Sequence, residues 1–185
     1  MGIVKKLPDV ELLCQLLDYD PATGLFIHKP RSEDMFPSQR YYKIWTTRYS
    51  GKVAGSCNPY GNNLYVRIYL LGVPYFAHRI AWKMFYGEEP PEVIDHVDND
   101  GTNNAIRNLR KATPNQNMWN SKISVANTSG HKGVCFHRRI GKWISNLKVN
   151  NKKIHLGYFD TAEDAAKAHN EAAVKYHGSF ARYTK

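Results

Sequence analysis

The sequence predicts an α+β protein in two parts, on three observations. Residues 93–117 read as a short apolar strand, a polar turn, a second strand and a strongly capped helix start. Farther on, three segments of alternating polarity precede one alanine-rich helix, the order of a small antiparallel sheet packed on a helix. Between them runs Ser121 to His131, with Ser124, Asn127, Thr128, Ser129 and Gly130, polar and turn-forming with little to bury. At 185 residues, 42% of them apolar, the chain can fill packed cores. The expected division is 1–120, a linker at 121–131, and 132–185.

Residues 7–17 read as an amphipathic helix, with Leu12, Leu13, Leu16 and Leu17 on one apolar stripe. Tyr19 to Ile27, through Asp20-Pro21 and Thr23-Gly24, is a turn leading into a strand. From Arg31 to Lys52 the chain is aromatic and basic (Arg40, Tyr41, Tyr42, Lys43, Trp45, Arg48, Tyr49). Two readings stand there: contact with DNA, or an irregular strand that packs its rings inward. Gly61-Asn62-Asn63 precedes a strand from Leu64 to Leu70, and Gly72 marks the next turn. His78 to Tyr86 is a helix stopped by Gly87 and followed by Pro90-Pro91, with His78 read as a packing residue.

The central segment carries the chemistry. Val93-Ile94 can run as a buried strand that delivers Asp95 and His96 at its polar end. Asn99-Asp100-Gly101 is turn chemistry. Thr113 as N-cap, Pro114 at the first helical position and Gln116 closing a capping box start a helix that carries Asn117. A calcium-loop reading fails, because the frame with Gly101 at position six puts His96 first and Arg107 last. A solvated turn-rich loop is the remaining bland alternative. A carboxylate beside an imidazole, with carboxamides on two later elements, is what phosphodiester hydrolysis needs: a base for water and oxygen ligands for a hard cation.

Asp95, His96, Asn108 and Asn117, at these intervals over about twenty-five positions, resemble the HNH nuclease family, whose site is a ββα-metal fold. The resemblance implies Asp95 and Asn117 as metal ligands and His96 as the base that activates water. It implies that Asn108, on the second strand, holds the imidazole or the loop in register. Where many relatives end in histidine this chain has Asn117, an H-N-N pattern similar to the phage intron-encoded branch. Two oxygen ligands favour Mg²⁺ or Mn²⁺ over Zn²⁺ or Ni²⁺. The paired CxxC motifs that brace some relatives are absent.

In the C-terminal part, alternation over Val134–His137, Trp143–Val149 and Ile154–Phe159 puts Val134, Phe136, Trp143, Leu147, Val149, Ile154 and Leu156 on one face. Cys135, His137, Asn146, Lys148, Lys153 and His155 fall on the other. Gly141 and Asn150-Asn151 supply hairpin turns. The helix opens at Thr161, presents Ala162, Ala165, Ala166, Ala173 and Tyr176, and closes near Gly178. The polar sheet face is left bare, a shape suited to the major groove. Gly133-Val134, Gly141-Lys142-Trp143, His155 to Phe159 and Thr161 to Ala166 resemble the ethylene-response-factor (Apetala-type) DNA-binding domain of plants. The resemblance implies that Lys132, Cys135, His137, Asn146, Lys148, Lys153 and His155 face DNA, with Arg138 and Arg139 in a turn about one residue longer than usual. Base preference does not carry over, because the plant domains favour Arg and Trp at several of these positions.

A formal net charge of +10 points to a polyanionic partner, here double-stranded DNA. Residues 128–185 hold 11 Lys/Arg against 4 Asp/Glu, so most of that charge belongs to the C-terminal part. Cys14, Cys57 and Cys135 lack metal or disulfide spacing, and no apolar run reaches membrane length. The expectation is a free-standing, homing-type endonuclease of a phage or mobile element, acting in the host cytoplasm, without a membrane or small-molecule cofactor. Two rivals stand beside it: a non-catalytic DNA-binding regulator and a structured-RNA nuclease. Removing everything after Ser121 is expected to weaken binding and spare cleavage, since all four motif residues remain.

Overall fold

A computed structural model describes residues 6–182. Its fold is α+β and divides into two compact units, the first ending at Lys111 and the second starting at Ala112.

In the first unit, Asp9 caps helix α1 (Val10–Leu16) by accepting from the Leu12 N–H at 2.9 Å, so the helix is shorter than the apolar stripe. Leu17, the last residue of that stripe, instead opens strand β1 (Leu17–Tyr19), which pairs antiparallel with β2 (Phe26–His28). Helix α2 (Gln39–Tyr49) replaces the irregular strand considered for the aromatic-basic stretch. Tyr42, Trp45 and Tyr49 recur at three- and four-residue intervals, the helical period that the polar neighbours obscure. Strands β3 (Ser56–Tyr60), β4 (Asn63–Leu70) and β5 (Val73–Phe76) form an antiparallel sheet with β4 central. Helix α3 (Ala77–Tyr86) buries Ala77, Ile80, Ala81 and Trp82, and Gly87 ends it with φ +71°. Leu13, Leu16, Leu17, Phe26, Ile68, Leu70 and Ile80 form the centre of this core. Strands β6 (Val93–His96) and β7 (Leu109–Ala112) make a two-stranded sheet joined by the motif loop.

The second unit begins with helix α4 (Pro114–Asn120). Strands β8 (Val134–His137), β9 (Lys142–Val149) and β10 (Lys152–Phe159) follow in a sheet with β9 central, and helix α5 (Ala162–His177) packs on it. Ala165, Ala166 and Ala173 are buried in α5, which lets the helix approach closely. Tyr176, expected on that face, is 44% exposed, and His169 and His177 take the buried positions instead. Leu156 belongs to neither face by simple alternation, because the ladder shifts between His155 and Gly157. After the shift Phe159 joins Trp143 against Val134, Ala165 and Ala166. A Cβ on Gly133 would sit 2.3 Å from the His169 ring, so only glycine fits there. The segment read as a linker has bonds of its own: Asn127 Nδ2 donates to His131 O at 2.9 Å and Ser129 Oγ to Val134 O at 2.8 Å.

Candidate functional site

Strand β6 ends on two buried polar residues, Asp95 at 3% exposure and His96 at 6%. The neighbouring strand β7 supplies Arg110, whose Nε donates to Asp95 Oδ2 at 2.7 Å and whose Nη2 lies 2.7 Å from the same oxygen. That grip fixes the carboxylate's orientation through a charge-assisted contact. The His96 ring meets His78 edge-on at 5.1 Å and Tyr65 at 5.9 Å. His78 in turn stacks on Phe76 at 5.4 Å, which makes it the packing residue expected from the sequence.

Burial holds His96 below the usual histidine range, against the opposing pull of Asn104 and of the Asp98, Asp95 and Asp100 carboxylates. Its imidazole is therefore mainly neutral near pH 7, the form able to accept a proton. Burial pushes His78 much further down, helped by His96 and Arg79, so it adds no charge beside His96.

The loop between the strands is tied internally. Asn108 closes a 3₁₀ turn (Ile106–Asn108) just before β7 rather than lying within the strand. Its Nδ2 donates to Asp98 Oδ1 at 2.9 Å and to Asn103 O at 2.8 Å, and its Oδ1 accepts from Asp98 N at 3.0 Å. Of the two roles open to it, Asn108 thus bonds the loop. Desolvation raises the Asp98 pKa, but the Asp100 N–H, Asn108 and Asn103 outweigh it and the net shift is downward. A Cβ on Gly101 would fall 2.4 Å from Leu64 O, so the loop presses on β4 at a point where only glycine fits.

Asn117 lies in the second unit, exposed in the first turns of α4. The capping box is present: Thr113 Oγ1 accepts from Gln116 N at 3.2 Å and Gln116 Oε1 from Thr113 N at 2.8 Å. Trp119 on the same helix stacks on His177 of α5 at 4.2 Å and 8°. Lys132 Nζ donates to Trp119 O at 2.6 Å and Ser121 O at 2.8 Å, satisfying carbonyls at the helix end. Burial, with Arg182 nearby, lowers its pKa to about 8.

The outer face of the β8–β10 sheet carries Cys135, Lys148, Lys153 and His155, all exposed, with half-buried His137 and Asn146. Lys142, Ile144 and Tyr158 share this face, and Tyr158 meets His155 edge-on at 4.7 Å. Arg138 and Arg139 are exposed in the β8–β9 turn. Lys148 and Lys153 are direct cross-strand partners.

The HNH endonuclease family pattern matches residues 75–119, and the AP2 domain pattern matches residues 129–179. Protein 3.8 of Escherichia phage T7 is 33% identical over 107 residues, 57% of this chain and 88% of that protein. The chain is a homologue of that phage protein and carries an HNH endonuclease domain. Behind the HNH domain it carries an AP2 domain, which implies DNA binding. An uncharacterized HNH endonuclease, L560 of Acanthamoeba polyphaga mimivirus, is 34% identical over 112 residues, 58% of this chain and 56% of that protein. The AP2-like ethylene-responsive transcription factor TOE2 of Arabidopsis thaliana is 47% identical over 51 residues, 28% of this chain and only 10% of that protein. No solved structure matches.

The sequence alone assigns no role to Arg110, inside the HNH match, or to Tyr65, outside it. Arg110 lies fifteen residues from Asp95, on a paired strand, where an opposite charge is the one available signal. Tyr65 precedes the matched segment and reaches His96 only through the fold. Among the described residues no group of three or more His, Cys, Asp or Glu side chains could hold a metal ion. The donor set expected from the sequence is one carboxylate, Asp95, buried here, and the Asn117 carboxamide. Hard and sparse, it fits a cation that keeps waters and takes substrate phosphate oxygens, as Mg²⁺ does. It is a poor set for Zn²⁺. Among the described residues no helix is long and apolar enough to cross a membrane.

Proposed function

We propose that this chain is a Mg²⁺- or Mn²⁺-dependent endonuclease that hydrolyses phosphodiester bonds in double-stranded DNA, directed to its target by the AP2 sheet. The observation that carries the reading is a buried, mainly neutral His96 beside an Asp95 carboxylate clamped by Arg110. Members of the HNH family typically use a divalent metal. Asp95 and Asn117 would hold it. Bound there, the cation would neutralise charge that develops on the phosphate.

The chain's own groups do the remaining work. His96 takes a proton from the attacking water, and its ring is kept in place by Tyr65 and His78. Asn108 holds the loop that follows His96, so the imidazole has a rigid base to work from. Arg110 orients Asp95 and adds positive charge near the scissile phosphate. On the second unit, Lys148, Lys153, Arg138 and Arg139 neutralise backbone phosphates, while Cys135, His137, Asn146 and His155 read base edges. Kinship with a phage T7 protein supports a phage or mobile-element source.

The test is cleavage of a randomised duplex DNA library with Mg²⁺, against EDTA-treated and His96→Ala controls. Cuts that need both the metal and His96 support the reading. DNA binding without cleavage in the wild type returns the regulator, and preferential cutting of structured RNA returns the RNA nuclease.

A further inference from the structure

A second polar site lies in the first unit, away from the motif loop. A cavity of about 660 Å³ is lined by His28 and Arg31, by Trp45 and Tyr49 of α2, and by Arg67 and Tyr69 of β4. Its size is that of a small-ligand pocket. The Arg31 guanidinium lies over the Trp45 ring at 4.2 Å. Arg31 Nε and Nη2 are buried without a hydrogen-bond partner among the described residues, and so is His28 Nδ1. Three buried polar atoms without a protein partner, all on residues of one cavity, call for water or a ligand to complete them. The cavity lining has two arginines and no carboxylate, and Glu33 and Asp34 on the adjoining turn are exposed and outside it. Burial, with Arg31 beside it, keeps His28 below its usual range, so the positive charge rests on the arginines. The chemistry asks for an anion joined to a flat ring.

We propose that this cavity takes an unpaired nucleotide of the DNA strand being cut, with its base stacked among the Trp45 and Tyr49 rings and its phosphate on Arg31. The inference rests on the nuclease reading and deepens it by naming a strand state. The link to the motif is on the sheet. Tyr65, Arg67 and Tyr69 alternate along one face of β4. Tyr65 sits 5.9 Å from the His96 ring, and Tyr69 lines the cavity. Arg67 lies over the Phe76 ring at 5.0 Å, and Phe76 and His78 carry the contact on to His96. From Tyr65 to Tyr69 is roughly 14 Å at about 3.4 Å per residue. A stacked strand covers that in about four nucleotides at about 3.4 Å each. The trapped nucleotide therefore lies about four positions from the cut. A paired base cannot enter a pocket without leaving the helix, and stacking on aromatic rings tolerates any base.

The test uses the full chain without divalent metal and a short duplex, fully paired or carrying one bulged fluorescent adenine analogue. Wild type is expected to bind the bulged duplex about tenfold more tightly and to quench the analogue, the size of effect one stacked base gives. Trp45→Leu should abolish the preference and the quenching while leaving paired-duplex affinity unchanged. Arg31→Gln, which keeps the Trp45 ring, should weaken bulge binding several-fold and guards against a Trp45→Leu chain that melts early. Equal affinity for the two duplexes, or an unchanged preference in both variants, overturns the proposal. So does free deoxyadenylate that competes as well as the bulged strand, which would make the ligand a free nucleotide. Mg²⁺-dependent cleavage of the paired duplex is followed in parallel. Bulge preference without cleavage removes the nuclease reading and keeps the pocket, and cleavage without preference does the reverse.

Discussion

Asp95 and His96 of the first unit are almost completely covered, one clamped by Arg110 and the other walled in by Tyr65 and His78. In the second unit, Lys148, Lys153 and His155 stand in the open on one sheet face. The contrast matches the two tasks proposed for them. A general base gains from burial, because desolvation lowers its pKa and fixed neighbours orient it. A groove-reading surface needs exposed donors and cations that meet phosphates and base edges without first being dug out. The Lys148–Lys153 pair makes the point sharply, since like charges directly opposite across a sheet are destabilising on their own. Such a pair is tolerable on a face that meets a polyanion.

The largest break in the comparison comes from the buried side. His96→Ala should lower single-turnover cleavage by about 10²–10⁴-fold. DNA affinity should stay within about twofold, because phosphate contacts elsewhere dominate it. Asp95→Ala should be at least as severe, since it removes the carboxylate that Arg110 holds. Cleavage within tenfold of wild type in His96→Ala would remove the assignment.

Helix α4 sharpens the comparison because it belongs to both stories. It bears the motif residue Asn117, yet it is built into the second unit through Trp119 on His177 and Lys132 on its last carbonyls. Removing everything after Ser121 strips those contacts, so the truncated chain should lose cleavage as well as affinity, contrary to the expectation from motif content alone. Trp119→Ala in the full chain should cut activity about 10–100-fold, the usual cost of disturbing a residue that supports a metal ligand. AP2-mediated binding should change little. Equal losses in binding and cleavage would mean that Trp119 merely stabilises the second unit.

How much of this was legible follows from the same contrast. Local signals gave the α4 capping box, the Gly87 stop and the alternation of β8–β10, because caps, left-handed glycines and period-two patterns act over a few residues. The HNH segment itself was readable from the spacing of its polar residues. Arg110 on Asp95 and Tyr65 on His96 were not, because each is a long-range contact made only when strands pair. Helix α2 was missed because its helical period rides on three aromatic residues amid polar ones. The bulge at Leu156 was hidden too, since one extra residue reverses the faces without changing composition.

Acid should act on the second unit through His169. Burial first, then Lys132, lowers its pKa to about 4 in the folded chain, from 6.5. A histidine depressed on folding contributes stability that is fully present above the unfolded pKa. It is lost as pH falls from about 6.5 toward about 4, because only the unfolded form readily takes the proton. The loss should approach about 2 kcal/mol after allowance for solvent screening. Thermal melts at about pH 7.5 and about pH 5 should show it, and His169→Gln should flatten the dependence. A variant that retains the full acid sensitivity would place its origin in other histidines, with His28 and His78 of the first unit next in line.

The smallest expected effect tests the exposed side, and it should have opposite signs for folding and for binding. Lys153→Thr removes one member of the cross-strand lysine pair and installs a strand-favouring residue. Relief of the repulsion should raise stability by about 0.2–1 kcal/mol, visible as a higher urea midpoint. Duplex affinity should fall at the same time, and the slope of log affinity against log salt should flatten by about 1, the signature of one lost phosphate contact. Lys142→Thr is the matched control. Its ammonium pairs with Asp160 at 2.7 Å, so it should leave the salt slope nearly unchanged. Equal flattening in both variants would mean that the sheet attracts DNA through its diffuse charge. Flattening in Lys153→Thr alone would mean that phosphates are gripped at this cross-strand position, and the fold would then carry a small cost at Lys148 and Lys153 for the sake of binding.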